Sequence, residues 1–401
     1  MRSMRFDPVT SERSLLVLLA VVVMLAPFAV DAYLPALGLI ARDLQASESM
    51  VQYSIGAFLF GTALGPLFAG PLSDAIGRRP VLVWGLAGFA VFSVACAMVG
   101  TAPALVFFRF FQAVAGSASL LAGRALLADL YSGDKLSQRQ SVIMMVMVIA
   151  PMVAPVFGGW VSEGWGWRWI FWGLSAGAVA AFTTSAVKLP ETLVPEKRQS
   201  LHLGRVLSGY FGLLRNPVAM MYTVALSSMS GMFFVFVSAT PFLYIETYGL
   251  SLSAYAWLFT AGAALAGLAN FVNIYAVGRI GYRAALMGQG IAALACGVLL
   301  FCGTFGVLGR WAVFGPGLAM MPLLHVIGSN ALTGIMDQFD ARKGIASAFA
   351  MAARFGVGMI GVAIVGLFHG AEETRYGLIF FVFAAFAGVS AQMAVRWDKS
   401  G

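Results

Sequence analysis

The sequence predicts an all-α membrane protein: twelve transmembrane helices in two pseudo-symmetric bundles of six. Three observations carry this. Apolar runs long enough to cross a bilayer recur twelve times, hydrophobic residues make up 60% of the chain against 10% charged residues, and Lys and Arg crowd onto alternate loops. A soluble domain carries about 25% charged residues, so a globule of this composition would lack a polar coat. That excludes a soluble enzyme, a nucleic-acid-binding domain and a disordered chain. The net charge of +8 follows from where the basic residues sit, not from a nucleic-acid partner.

A spanning helix takes roughly 20 apolar residues. In the first half such runs cover about residues 14–38, 50–72, 80–100, 104–128, 139–161 and 168–188. In the second half they cover about 217–243, 253–277, 284–305, 310–334, 343–368 and 375–396. These are spans 1 to 12. Asp31 and Pro35 follow the first run where a cleavage site would need small residues, so it reads as a retained span, not a signal peptide. The charged, proline-containing interval between spans 6 and 7 divides the chain into a first bundle (1–188), a linker (189–216) and a second bundle (217–401). Leu203, Val206, Leu207, Tyr210, Phe211 and Leu214 recur there at helical spacing, which predicts an amphipathic helix on the membrane surface.

Twelve crossings put both termini on one side. That side collects nineteen of the 25 Lys and Arg, the opposite loops hold four, and Arg109 and Arg354 lie within spans. By the positive-inside rule the termini are cytoplasmic. The three cysteines and three histidines are scattered in apolar runs, with no disulfide framework or metal-ligand spacing. No intramembrane Ser/His/Asp set or paired acids appears, so no enzyme is expected. No GxxxxGK[ST] run is present either, so neither ATP nor any other cofactor is expected.

Five local patterns carry chemistry. The loop Gly70-Pro71-Leu72-Ser73-Asp74-Ala75-Ile76-Gly77-Arg78-Arg79-Pro80 joins spans 2 and 3. Gly77 permits a tight turn, and Asp74 can cap a helix or accept from arginine. Asp129, at the end of span 4, lies at a depth to pair with Arg78 or Arg79, so the set reads as a conformational latch or as an ordinary charged turn. A weaker copy, Gly281-Tyr282-Arg283, follows span 8 without the acid. In span 4, Arg109, Gln112, Ala113 and Gly116 share one helical face. A charge at the bilayer centre costs about 2.5–3.5 kcal/mol on the insertion scale, so Arg109 either faces a partner or snorkels to the nearby surface.

In span 1, Asp31-Ala32-Tyr33-Leu34-Pro35 places an acid four residues before a proline. Pro35 offers no N–H to the carbonyl of Asp31, which predicts a kink. Asp31 and Arg109 lie at similar depths from the same surface, so the two are expected to pair; otherwise Asp31 sits in the headgroup zone. In span 5, Ala150, Ala154 and Gly158 form a small-residue stripe interrupted by Pro151 and Pro155, suited to close packing and bending. Deep in spans 10 and 11 lie His325, expected as a neutral imidazole bonded to a backbone carbonyl, and Arg354.

Together these patterns resemble the drug:proton antiporter group of the major facilitator superfamily, and within it the bicyclomycin/chloramphenicol resistance (Bcr/CflA) branch. The resemblance extends to Pro241-Phe242-Leu243-Tyr244-Ile245-Glu246, Ser329-Asn330-Ala331 and Arg354-Phe355-Gly356. It implies proton-coupled export of small organic drugs or antibiotics across a bacterial inner membrane by alternating access, by a monomer powered by the proton gradient. The same fold would serve an importer or exporter of a sugar or other metabolite coupled to a cation. Proton coupling is expected at Asp31 and Arg109. Substrate lining is expected from Tyr33, Gln112, Met144, Met147, Phe233, Phe236, Asn330 and Arg354, and the conformational latch from Gly70, Asp74, Gly77, Arg78, Arg79 and Asp129. Ala154, Pro155, Gly158 and Gly159 match the antiporter motif, with alanine at 154 where glycine is usual.

Overall fold

The computed structural model describes residues 12–131, 133–194, 198, 214–305, 311–339, 343–367 and 373–398. The expected amphipathic linker helix lies outside the described residues for nearly all its length. What is described is helical, with no strand among the described residues. Ten helices are long and apolar enough to cross a membrane. One of them, Leu252–Gly303, has 52 residues, or about 78 Å at 1.5 Å per residue, far more than one crossing of a hydrocarbon core of about 30 Å. It breaks at Gly281, where φ is 77°, and supplies spans 8 and 9. Adding Gly133–Gly164 as span 5 gives twelve long helices among the described residues.

Local chemistry sets the ends. Span 1 runs Glu12–Asp31 and stops where Pro35 removes a donor. A 3-10 turn, Leu34–Ala36, follows, and the helix resumes as Leu37–Asp43. Ser47 opens span 2 (Glu48–Ile76) by accepting from the amide of Met50, and Asn216 opens span 7 (Pro217–Pro241) by accepting from Ala219. Span 7 ends in a π-helical segment, Phe242–Thr247. Spans 3, 4 and 6 are Arg78–Met98, Ala102–Leu130 and Arg168–Lys188. Spans 10, 11 and 12 are Trp311–Asp337, Lys343–Leu367 and Glu373–Trp397.

In the first six, span 2 packs on 4, span 3 on 4 and 6, and span 1 on 5 and 6. In the second six, span 7 packs on 10, 11 and 12, and the 8–9 helix packs on 10 and 12. The sets meet mainly where span 11 lies on span 2 and span 8 on span 5. Alternating helix directions create two faces. The junction face carries Gly77 and Gly281. The far face carries the turns after Asp43, Met98, Gly164 and Thr247, and there Arg168 of span 6 pairs with Asp43 and donates to the carbonyl of Val99 (3.1 Å).

Contacts between the sets gather on the far side among the described residues. Among the described residues, side-chain hydrogen bonds between the sets include those of Arg42 with Glu246, Gln52 with the carbonyl of Ser238 (3.2 Å) and Thr260 with the carbonyl of Met152 (2.7 Å). All three lie toward the far face. There Gly366 also faces Tyr53, and Gly56 faces Val362 and Met359. The described residues are therefore closed across the far face.

Candidate transport site

Span 1 places three consecutive residues against three surroundings. Asp31 is buried, at 7% exposure, and stands within electrostatic range of Tyr255 in span 8. The carbonyl of Ala32 faces Gly158 of span 5, where a Cβ would fall 1.9 Å from the oxygen. Only glycine admits that approach, so the antiporter-motif stripe is shaped to receive the span 1 kink. Its neighbour Gly159 faces span 8, where an added Cβ would lie 3.7 Å from that of Ala256, and Ala154 is fully buried. The motif thus touches span 1 and the second set of helices at once.

Tyr33, the third residue, faces the opposite way. Its hydroxyl shares a hydrogen bond with Ser54 (2.7 Å), and its ring centroid lies 4.6 Å from the guanidinium carbon of Arg109. Phe58 and Phe171 lie 4.3 Å and 5.6 Å from the same carbon. Arg109 Nη1 donates to Gln112 Oε1 (2.9 Å), whose Nε2 donates to Ser93 Oγ (2.7 Å). Nε and Nη2 are buried with no hydrogen-bond partner among the described residues. Arg109 is fully buried, so it does not snorkel, and it meets no carboxylate among the described residues. Three aromatic rings surround it, and a desolvated cation–ring contact is worth about 2 kcal/mol.

The expected Asp31–Arg109 pair is therefore absent from this structure. Depth was matched but azimuth was not: the turn at residues 32–33 directs Tyr33 to Arg109 and leaves Asp31 toward span 8. Asp31 makes no ion pair among the described residues.

The expected substrate lining is also redistributed. Tyr33 and Gln112 are fully buried and belong to the arginine cage. Phe236, 3% exposed, packs edge-on against Tyr244 and Phe380, each 6.3 Å away. Asn330 donates to Asn273 Oδ1 (3.0 Å) and Gln289 Oε1 (2.9 Å), a cluster that spends its donors inside the second set. These four do not line an open cavity here, because each is consumed by neighbours. Phe233 is half-buried against Phe234 (5.3 Å). The side chains of Met144 and Met147 are outside those described. Arg354 keeps a buried Nε without a hydrogen-bond partner among the described residues, its guanidinium 5.9 Å from the Phe355 ring. His325 places Nδ1 2.9 Å from the carbonyl of Met321, the bond expected of a neutral imidazole.

The junction loop assembles as a network. Arg78 pairs with Asp74 and, through Nε, with Asp129 Oδ2 (3.3 Å). Gly77 has φ 114°, the left-handed region that favours glycine, while at Gly70 a Cβ would meet only Leu121, at an ordinary 3.7 Å. Arg79 points its guanidinium at the carbonyl of Ala186. Sequence reasoning missed Glu191, whose carboxylate accepts from the amides of Arg78 (3.0 Å) and Arg79 (3.2 Å). A carboxylate there also suits the positive end of the span 3 helix. Asp398 was missed as well. It pairs with Arg283 (3.1 Å) and accepts from Tyr222 (2.8 Å) and Gln338 (3.2 Å). The acid lacking from the second loop's own sequence thus arrives from beyond span 12, as Glu191 arrives from beyond span 6. That parallel was the available signal.

Comparison with known proteins agrees with this architecture. The Major Facilitator Superfamily model matches residues 19–362, and the chain belongs to that family of membrane transporters. A bicyclomycin resistance protein homolog of Haemophilus influenzae is 31% identical over 343 residues, covering 85% of this chain and 86% of that protein. The multidrug resistance protein MdtL of Escherichia coli O9:H4 is 27% identical over 326 residues, covering 81% of each. Among solved structures, a D-xylose–proton symporter superposes with a TM-score of 0.74 at 14% identity, covering 97% of this chain and 98% of that one. A bacterial homolog of the lysosomal transporter Spinster, inward-facing and unoccupied, gives 0.75 at 14% identity, covering 96% and 98%. At those identities the likeness concerns the fold alone. The protein is a multi-pass membrane transporter of small molecules.

Proposed function

We propose that this transporter exports small organic drugs or antibiotics across a bacterial cytoplasmic membrane in exchange for protons, with Asp31 as the proton carrier. One observation carries the reading: a buried carboxylate without an ion-pair partner among the described residues, placed where span 1 meets span 8 of the other set. An acid in the membrane interior is costly and marks ion or proton pathways. The names of the relatives, bicyclomycin resistance and multidrug resistance, support the substrate class.

With the junction face cytoplasmic, as the loop charges favour, the closed far face is the external one and the protein is poised toward the cytoplasm. Substrate enters from there and meets Asp31, whose proton leaves. The sets then rock, the external side opens, and a proton returns as substrate departs. One charge crossing the membrane potential supplies about 2.3 kcal/mol per 100 mV, so no cofactor is required and a monomer suffices. Arg109 acts at one remove by holding Tyr33 and with it the span 1 kink.

Drug-susceptibility profiling of cells with and without the protein tests the substrate class, and Asp31→Asn tests the carrier. The variant should insert normally, lose proton-driven export, and release no proton when substrate is added in detergent. Export at wild-type rate with intact proton dependence would remove Asp31 from the role.

A further inference from the structure

The motif Pro241-Phe242-Leu243-Tyr244-Ile245-Glu246 has no part in the cycle so far described, yet its last residue makes a charged contact between the two sets of helices. Glu246 accepts from Arg42 Nη2 at 2.9 Å and 2.6 Å through its two oxygens. Arg42 closes the last turn of the span 1 extension, and Glu246 lies in the π-helical end of span 7. The carboxylate lies over Gly38, one turn before Arg42: a Cβ on Gly38 would come within 2.6 Å of Glu246 Oε1. Pro35, Gly38, Leu39, Pro241, Ile245 and Leu252 line a crevice at the pair, and Pro35 is one helical turn from Asp31. Glu48, at the start of span 2, stands within electrostatic range of Glu246, and Arg42, Glu48 and Glu246 line one crevice.

We propose that Arg42 and Glu246 form the far-face gate of the transporter, an ion pair that must part before that face can open. The proposal rests on the alternating-access reading, because a pair joining the two sets at one face can persist only in states closed at that face. The pair is built to be breakable. Arg42 is 70% exposed and Glu246 33%, and an exposed pair biases an equilibrium only about two- to fivefold. A glycine at 38 is what lets the carboxylate settle. Removing Arg42 leaves two acids in one crevice without their cation, whereas removing the charge of Glu246 leaves Arg42 in that crevice with Glu48. Arg42→Gln should therefore open the far face more than Glu246→Gln.

The test places nitroxides at Gly100→Cys and Ala254→Cys, on opposite sets at the far face, in full-length protein with Cys96, Cys296 and Cys302 changed to Ala. Pulsed dipolar spectroscopy then reads the population of the longer, far-open distance without substrate or a proton gradient. Arg42→Gln, Glu246→Gln and Gly38→Val should each raise that population about two- to fivefold, in the order given for the two charge variants. The exchanged pair, Arg42→Glu with Glu246→Arg, should bring it back toward the parent value. Unchanged populations in the single variants, or an exchanged pair no nearer the parent than they are, overturn the gate. If no far-open distance appears in any variant, alternation fails and the gate with it. Loss of export by Asp31→Asn alongside normal gate distances would concern only the carrier.

Discussion

Gly158 and the carbonyl of Ala32 occupy a contact that leaves no room for a single methyl group, since a Cβ on Gly158 would fall 1.9 Å from that oxygen. The contact seats the break in span 1 on span 5, one residue from Asp31. Gly158→Ala should therefore push the two spans apart, with an overpacking cost of about 1–3 kcal/mol. We expect membrane insertion to survive and export to fall steeply. Ala154→Gly, which only removes a methyl from a buried position, should leave export nearly intact. Equal activity of Gly158→Ala and wild type would mean the kink is free to move away.

Arg109 gives a prediction of opposite sign for stability and activity. A buried cation with two donor nitrogens unpartnered is expensive. Arg109→Met keeps the bulk among Tyr33, Phe58 and Phe171 while removing the charge. Its melting temperature in detergent should equal or exceed that of wild type, while export is lost. A marked drop in melting temperature would show that the charge is needed for folding, and the positioning role would lose its support.

The two junction acids should behave alike despite their separation in sequence. Asp398→Ala removes the carboxylate that pairs with Arg283 and accepts from the Tyr222 hydroxyl, and should cost about 1–3 kcal/mol. Glu191→Ala leaves two first-turn amides of span 3 without their carboxylate, comparable to losing a helix cap at about 0.5–2 kcal/mol. Asp74→Ala should leave substrate affinity nearly unchanged and slow turnover. A binding loss as large as the transport loss would place Asp74 in the substrate site instead.

Topology is open to a direct check. Reporter fusions at Gly133, Gly204 and the C-terminus should read cytoplasmic, and those at Ser47, Gly164 and Tyr248 external. A well-expressed Gly204 fusion reporting outside would invert the proposed orientation.

The fold was legible because hydropathy and helix breakers are local properties. Gly77 and Gly281 announced the span junctions, and Pro35 announced the kink that the chain adopts between Asp31 and Leu37. The pairing of side chains was less legible. Depth in the bilayer can be counted along a sequence, which is why Asp31 and Arg109 looked like partners. Which way a side chain points after a helix breaks cannot be counted, and the turn at Ala32–Tyr33 decided that Tyr33 reaches the arginine. Phe236 and Asn330 illustrate the same limit: aromatic and amide residues look alike to a reader of sequence whether they face a ligand or their own bundle. Glu191 and Asp398 were hidden by distance, each lying over a hundred residues from the arginines it serves.

That distance has a consequence for how the chain is made. Arg78 leaves the ribosome 113 residues before Glu191, which at about 5–20 residues per second is a wait of roughly 6–23 seconds. Arg283 waits a similar time for Asp398. In each set of six helices the first junction to be inserted stays unsealed until the last helix has been threaded. A nascent chain halted inside span 6 or span 12 would lack the acid that completes its junction, a mark by which quality-control proteases can tell an unfinished transporter from a finished one.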